Sequence, residues 1–305
     1  MVNNPEENRV DGGPVVVRFA PSPNGYLHLG HAYSAVLNSR FAAGRGGRFL
    51  LRLEDIDLTR ARPQFEQAIY DDLSWLNLVW EMPVRRQSQH LAFYRQVLDR
   101  LDGMGLLYRC FCSRLEIRSA ATARGTMRCD PDGAPVYPGT CRGISEAESL
   151  RLRASGKPFA LRLDMERALQ SPVMLRTKKL WWEEFGEGDE CSNVAADVSA
   201  WGDVVLGRKD TGTSYHIAVV ADDQLQGVTD IIRGEDLYAA TSIHRLLQAL
   251  LNFSTPRYRH HTLIMDESGT KYSKSAESAS LRSLRADGCT FEDVLRLLPL
   301  PARTS

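Results

Sequence analysis

The chain has 305 residues and 34.2 kDa, with 38 basic and 38 acidic side chains and a formal net charge of zero. An apolar share of 43% and a charged share of 25% exclude the disordered, collagenous and membrane classes. No apolar run approaches the roughly 18 residues of a membrane span. Residues 1–14, MVNNPEENRVDGGP, lack an apolar stretch and read as a flexible leader, not an export signal. Six cysteines without such a signal suit a reducing, cytoplasmic setting, and clustered cysteines there favour metal over disulfide.

In chain order, Val15 to Phe19 reads as a buried strand ended by the turn Pro21-Ser22-Pro23-Asn24-Gly25. A helix over 30–43 follows, then a strand at Arg48 to Leu53. Phe65, Ala68, Ile69, Leu73 and Leu76 recur at helical spacing, with Asp72 alone breaking the stripe. A further helix runs from about Ser88 to Met104, with Leu91, Tyr94, Val97, Leu98 and Leu101 inward. Strand, helix, strand, helix is the pattern of a parallel α/β sheet, whose ligands sit beyond the strand carboxyl ends.

Residues 108–175 break the pattern and hold Cys110, Cys112, Cys129 and Cys141. The α/β rhythm resumes with Asp203 to Leu206, Tyr215 to Val220 and Val228 to Ile232. A long apolar helix over Leu237 to Leu251 and a last strand at Thr262 to Met265 complete it. The simplest organisation is a leader (1–14), a nucleotide-binding domain in two halves (15–107 and 176–285), a subdomain inserted at 108–175, and a short C-terminal helix and tail (286–305). Charge is uneven. Residues 107–128 carry five arginines against one glutamate, a basic face suited to a phosphate backbone. Residues 183–190 carry five acids and no base, and read as a surface loop.

The densest motif is Arg18-Phe19-Ala20-Pro21-Ser22-Pro23-Asn24-Gly25-Tyr26-Leu27-His28-Leu29-Gly30-His31. A strand enters a rigid turn and then a helix whose first turn holds two histidines. Helix N-termini offer unpaired N–H groups and partial positive charge to phosphate. Histidines three apart can face one side there, and packing alone does not explain them. Gly30 lets a flat adenine or ribose approach the backbone. Far downstream, Lys271 and Lys274 in KYSKS form a loop able to neutralise a polyphosphate leaving group.

With HLGH at 28–31 and KYSKS at 271–275, the chain resembles the class I aminoacyl-tRNA synthetases, and RFAPSPNGYLHLGH is the glutamyl form. The likeness extends through Leu53-Glu54-Asp55-Ile56-Asp57 and from Tyr215 through Gly227 to Asp236, covering roughly residues 15–285. Only 30 residues follow Ser275, so no anticodon-binding domain is expected. In this the chain resembles the shortened branch that attaches glutamate to the queuosine base of tRNA(Asp).

The resemblance implies a Rossmann-like catalytic domain that uses ATP with magnesium to make glutamyl-adenylate without tRNA. Arg18 and Arg233 would hold substrate carboxylates, Tyr215 would donate its hydroxyl, and Glu54 would pair with the α-ammonium. Ala20 and Ser22 would line the amino-acid pocket. His28, Gly30, His31 and Lys274 would bind ATP, with Lys271 and Lys274 beside the departing pyrophosphate. The family's C-x-C…Y-x-x-x-C zinc site would be Cys110, Cys112, Tyr137 and Cys141, with Cys129 close enough to compete for the tyrosine's place. The expected partners are glutamate, ATP and queuosine-bearing tRNA(Asp), met by a monomer without a membrane. The rival readings are an acceptor-end glutamyl-tRNA synthetase and a non-enzymatic RNA-binding module.

Overall fold

The computed structural model describes residues 13–123, 128–177, 179–188, 190–265 and 280–300. The first half runs β1 (Val16–Phe19), α1 (Leu29–Ala43), β2 (Arg48–Leu53), α2 (Pro63–Trp75), β3 (Glu81–Arg86) and α3 (Leu91–Gly103). Next come β4 (Leu107–Cys110), α4 (Arg114–Ala123), α5 (Glu146–Ala154), β5 (Ala160–Leu163), α6 (Met165–Leu169) and α7 (Pro172–Thr177). The chain continues through β6 (Trp181–Phe185), β7 (Cys191–Ala195), β8 (Val205–Gly207), α8 (Tyr215–Gln226), β9 (Asp230–Gly234), α9 (Thr241–Leu251) and β10 (Arg257–His261). Helices α10 (Leu281–Ala286) and α11 (Phe291–Leu297) close the described residues.

Strands β1, β2 and β3 pair in parallel, with β2 central. β9, β10 and β6 form a second parallel row, to which β7 adds an antiparallel edge. The rows meet where Thr229 N–H donates to the Val16 carbonyl at 2.9 Å and Val16 N–H to Thr229 Oγ1 at 2.8 Å. β1 and β9 therefore run side by side at the reversal of strand order, where α/β folds open a ligand crevice. Helix α9 is buried almost all round and α8 along most of its length, so both serve as core helices.

Several segments differ from their sequence pattern. Tyr215 to Val220, strand-like in its β-branched content, opens α8, because the Ser214 hydroxyl caps Ile217 N–H and Gly227 closes the helix in left-handed geometry. The last strand is Arg257–His261, not Thr262 to Met265, and its register beside Asp230–Gly234 pairs Arg257 with Asp230 at the start. β3 escaped notice because Pro83 and three charged residues mask its pattern. Strand β8 pairs antiparallel with β5 and so joins β4 and β5, not the parallel sheet. Leu91 is exposed at the start of α3. The acidic segment is no loose loop: Glu183 and Glu184 lie within β6, and β6 pairs antiparallel with β7 (Cys191–Ala195) directly after the segment.

Asp72 is buried on α2, its carboxyl oxygens without a hydrogen-bond partner among the described residues and Arg285 of α10 at 3.5 Å. Burial pushes this carboxyl up to about 6, against some pull from Arg285. An acid raised on folding holds its proton more tightly when native. Stability therefore falls as pH rises from about 4 to about 6 and then levels off. Asp72→Asn should stabilise the chain by roughly 1–2 kcal/mol at pH 7 and by almost nothing at pH 4, read by urea unfolding.

Candidate active site

A cleft of about 480 Å³ opens beyond the carboxyl ends of β1 and β9. Arg18, Ala20, Ser22, His28, Gly30, His31, Glu54, Tyr215 and Arg233 all line it. Lys271 and Lys274 lie outside the described residues, but the chain on either side adjoins the site. Ile264 lines the cleft, and Ser280 forms a bridge with His28.

The histidine turn has an internal logic that its spacing alone did not reveal. His28 caps α1, its Nδ1 accepting from Gly30 N–H at 3.1 Å, while His31 Nδ1 accepts from His28 N–H at 3.3 Å. Each ring, when neutral, therefore carries its proton on Nε2. A Cβ on Gly30 would stand 3.0 Å from His28 Cε1, so a side chain there would press on the capping ring. No acid occupies the first turn of α1, which keeps the positive end of the helix available to an anion.

The opposite wall is built from arginines. Arg18 is buried at the end of β1, its Nε and Nη2 donating to Asp223 of α8 at 3.0 and 3.3 Å. Nη1 has no protein partner among the described residues, so it can meet a carboxylate in the cleft. Arg52 is wholly buried and donates to Asp223 at 2.7 Å, to Gln226 at 3.0 Å and to Glu54 at 3.2 Å. Burial pushes the Asp223 carboxyl up, but the two guanidinium groups outweigh it and hold the carboxyl below its ordinary range. For Glu54 burial wins over Arg52 and Arg18, and its carboxyl is raised.

Arg233 differs from the expectation of a second open clamp. Nε donates to His260 at 3.2 Å, and Nη1 donates to the Tyr215 hydroxyl and His244 Nδ1, both at 3.3 Å. Nη2 donates to the Leu237 carbonyl at 3.1 Å and Thr241 Oγ1 at 2.8 Å. All five N–H groups are engaged, so Arg233 offers charge and orientation more than free donors. The Tyr215 oxygen accepts from Arg233, which leaves its proton to be donated into the cleft. Burial pushes that phenol up to about 12.

Asp223, Arg52, His244 and His260 were not singled out in the sequence. Two adjacent acids, Asp222 and Asp223, on an otherwise apolar helix were the available signal. His260 takes a second partner from the acidic hairpin, since Glu184 accepts from its backbone N–H at 2.7 Å and lies 3.0 Å from Nδ1. Arg259 likewise donates to Glu187 at 3.0 Å. The acidic run thus faces the basic strand β10.

In the antiparallel subdomain, Cys110, Cys112 and Cys141 bring their sulfurs within 4.8 Å of one another. The Tyr137 hydroxyl lies 3.3 Å from Cys110 Sγ and 3.5 Å from Cys112 Sγ, and accepts from Cys141 N–H at 2.9 Å. Cys129 is exposed and outside this cluster. Lys209 donates to the Phe111 and Cys112 carbonyls at 3.0 and 2.9 Å, which fixes the knuckle. Three sulfurs and one oxygen around a common point can hold a metal of zinc's preferences. Of the five arginines near this subdomain, Arg109 is paired with Asp102 at 2.7 Å, while Arg114 and Arg118 line a separate cleft beside Tyr137. No helix among the described residues is long and apolar enough to cross a membrane.

The family described as tRNA synthetases class I (E and Q), catalytic domain, matches residues 14–300. The glutamyl-Q tRNA(Asp) synthetase of Rhodobacter capsulatus is 44% identical over 290 residues, covering 94% of this chain and 100% of that one. The glutamate–tRNA ligase of Aquifex aeolicus is 34% identical and covers 94% of this chain, but only 57% of that ligase is matched. A solved structure of glutamate tRNA ligase from Elizabethkingia meningosepticum in complex with its amino acid has a TM-score of 0.69 and 27% identity. It covers 91% of this chain and 54% of that one. The chain spans about half the length of these glutamate ligases. It is a ligase that belongs to the class I tRNA synthetases of the glutamyl and glutaminyl group, in the glutamyl-Q tRNA(Asp) synthetase branch.

Proposed function

We propose that this ligase activates glutamate with ATP and magnesium, without tRNA, and then transfers it to the queuosine base in the anticodon of tRNA(Asp), as a cytoplasmic monomer. The observation that carries the reading is the meeting of Arg18, Glu54, Tyr215 and Arg233 with the His28–His31 turn in one cleft. The near-full-length likeness to relatives named glutamyl-Q tRNA(Asp) synthetase supports the choice of RNA.

Arg18 Nη1 and the Tyr215 hydroxyl take the side-chain carboxylate, with the charge of Arg233 behind them. Glu54 receives the α-ammonium, while Ala20 and Ser22 keep the pocket wall small. The α-carboxylate then attacks the α-phosphorus of ATP, giving glutamyl-adenylate and pyrophosphate. His28 and His31 hold phosphate oxygens, Gly30 admits the nucleoside, and Lys271 and Lys274 meet the departing pyrophosphate. A queuosine hydroxyl next attacks the activated carbonyl, forming the ester as AMP leaves. Positioning and electrostatics supply most of the acceleration in chemistry of this kind. The halves 15–107 and 176–285 would perform activation, and the insertion 108–175 would approach the RNA.

Pyrophosphate exchange with glutamate and ATP but no tRNA tests the first step. Exchange is expected, and its absence in folded, zinc-loaded protein would overturn tRNA-independent activation. The same assay tests Glu54. As pH falls through its raised value the carboxyl protonates, and KM for glutamate should rise. Glu54→Gln should show the high KM at every pH.

The cysteine cluster fits a structural zinc held by Cys110, Cys112, Tyr137 and Cys141, which would cross-link the subdomain. Elemental analysis should find one zinc per chain, retained in Cys129→Ser and lost in Cys141→Ser. Loss in Cys129→Ser would contradict this ligand set. The likeness to full-length glutamate–tRNA ligases favours one alternative, charging of tRNA(Glu) at its acceptor end, and parallel charging of the two tRNAs separates them.

A further inference from the structure

The cleft holds its two arginines in opposite ways. Arg18 shares the carboxylate of Asp223 with Arg52, so its charge is partly matched within the protein. Every hydrogen-bond partner of Arg233 among the described residues is neutral or can be: two imidazoles, a phenol, a threonine hydroxyl and a backbone carbonyl. A guanidinium can only donate, so His244 Nδ1, 3.3 Å from Nη1, must be an unprotonated acceptor. His244 then carries its proton on Nε2, which lies 3.3 Å from His216 Nδ1. The direction of that second bond is set in turn: His244 donates, His216 accepts, and the His216 proton sits on Nε2.

His244 is buried and His216 half-buried, and burial before all, with Arg233 next, keeps both neutral. His216 is pushed down to about 4 and His244 well below the ordinary range. The charged and titratable groups around His244 are Arg233 on β9, His260 on β10, Arg18 on β1, and Tyr215 and His216 on α8. A carboxylate in the place of His244 would satisfy the same N–H but cancel the charge. A neutral acceptor satisfies it and leaves the positive field directed at the cleft.

We propose that His244, oriented by His216, is a positioning residue that holds Arg233 through a neutral nitrogen and thereby makes the pocket select an anionic side chain over its amide. The inference rests on the glutamate reading above and deepens it, since glutamate and glutamine differ in just this charge. Asparagine can place Oδ1 near the position of Nδ1, alanine leaves the Arg233 N–H without its acceptor, and aspartate supplies the cancelling charge.

The test combines glutamate-dependent and glutamine-dependent pyrophosphate exchange with 15N spectra of histidine-labelled full-length chain. His244→Ala should raise KM for glutamate by at least about 10-fold, the scale of one lost hydrogen bond to a charged group, with KM for ATP unchanged. His244→Asn should return KM for glutamate to within about 3-fold of the original, and His244→Asp should lower the preference for glutamate over glutamine by at least about 10-fold. The His244 signals should report a neutral ring protonated at Nε2.

Unchanged KM for glutamate in His244→Ala would overturn the proposal, as would equal rises in both KM values. A failed rescue in a folded His244→Asn, or an Nδ1-protonated or cationic ring, would do the same. If His244→Ala does not fold, the asparagine variant and the spectra decide. If the unaltered chain shows no exchange with glutamate, the glutamate reading fails, while the tautomer still decides how Arg233 is held.

Discussion

Asp223→Asn is expected to abolish glutamate activation and to lower folding stability by about 3–5 kcal/mol, the range for breaking a buried ion pair. One carboxylate on α8 serves two guanidinium groups, accepting from Arg18 at 3.0 Å and from Arg52 at 2.7 Å. Arg52 is fully buried, and its other anionic neighbours are Glu54 at 3.2 Å and Asp222 at 3.8 Å. Removing the charge of Asp223 leaves two buried cations with Glu54 and, for Arg52 alone, the more distant Asp222, which also serves Arg85. Glu54 would turn further toward Arg52 and away from an ammonium, so binding and stability should fail together. Urea unfolding and pyrophosphate exchange measure the two effects. A variant with original stability and original KM for glutamate would show that Asp223 is not the hinge of this wall.

The second large effect is expected at Arg18. Arg18→Gln removes the cleft-facing Nη1 but leaves Asp223 its bond to Arg52, so the wall should survive and recognition should not. The specificity constant for glutamate should fall by about 10²–10³-fold, mainly through KM, because truncating one member of a buried charge pair commonly costs that much. KM for ATP should stay within about 3-fold. Arg18→Lys should recover little, since a single ammonium cannot grip both oxygens of Asp223 and also reach a substrate carboxylate. Recovery by lysine to near the original constant would contradict the fork geometry. A fall shared equally by glutamate and ATP would move Arg18 from recognition to general support.

The parts of the site that could be read in the sequence are those made by neighbouring residues. The His28–His31 turn is a strand end, a proline-glycine turn and a helix start within 14 residues, and each piece has local chemistry that its spacing reveals. The cysteine knuckle is similar, because Cys110 and Cys112 announce it and Tyr137-x-x-x-Cys141 returns to it. That Tyr137, and not Cys129, adjoins the three sulfurs is visible only in three dimensions.

The wall of arginines was legible only in its cleft-facing members. Its support comes from far away in the chain: Asp223 reaches Arg18 across 205 positions and Arg52 across 171. Nothing in the local pattern of RFLLRL says that its second arginine is buried to bind an acid on a later helix. The acidic hairpin misled for the same reason. A run of acids normally faces water, and only strand pairing sets Glu184 beside His260 and Glu187 beside Arg259. Tyr215 to Val220 misled differently. Core helices buried on all sides lose the 3.6-residue alternation and read as strands. Zero net charge likewise concealed an internal division, with the acids of β6 and its turn set against the bases of β10.

The most direct test is glutamate transfer to three purified RNAs: tRNA(Asp) bearing queuosine, tRNA(Asp) lacking it, and tRNA(Glu). Labelled glutamate should appear on the first alone, and periodate treatment of that tRNA beforehand should abolish it by destroying the queuosine diol. Label on tRNA(Glu), or on tRNA(Asp) irrespective of queuosine, would contradict the account.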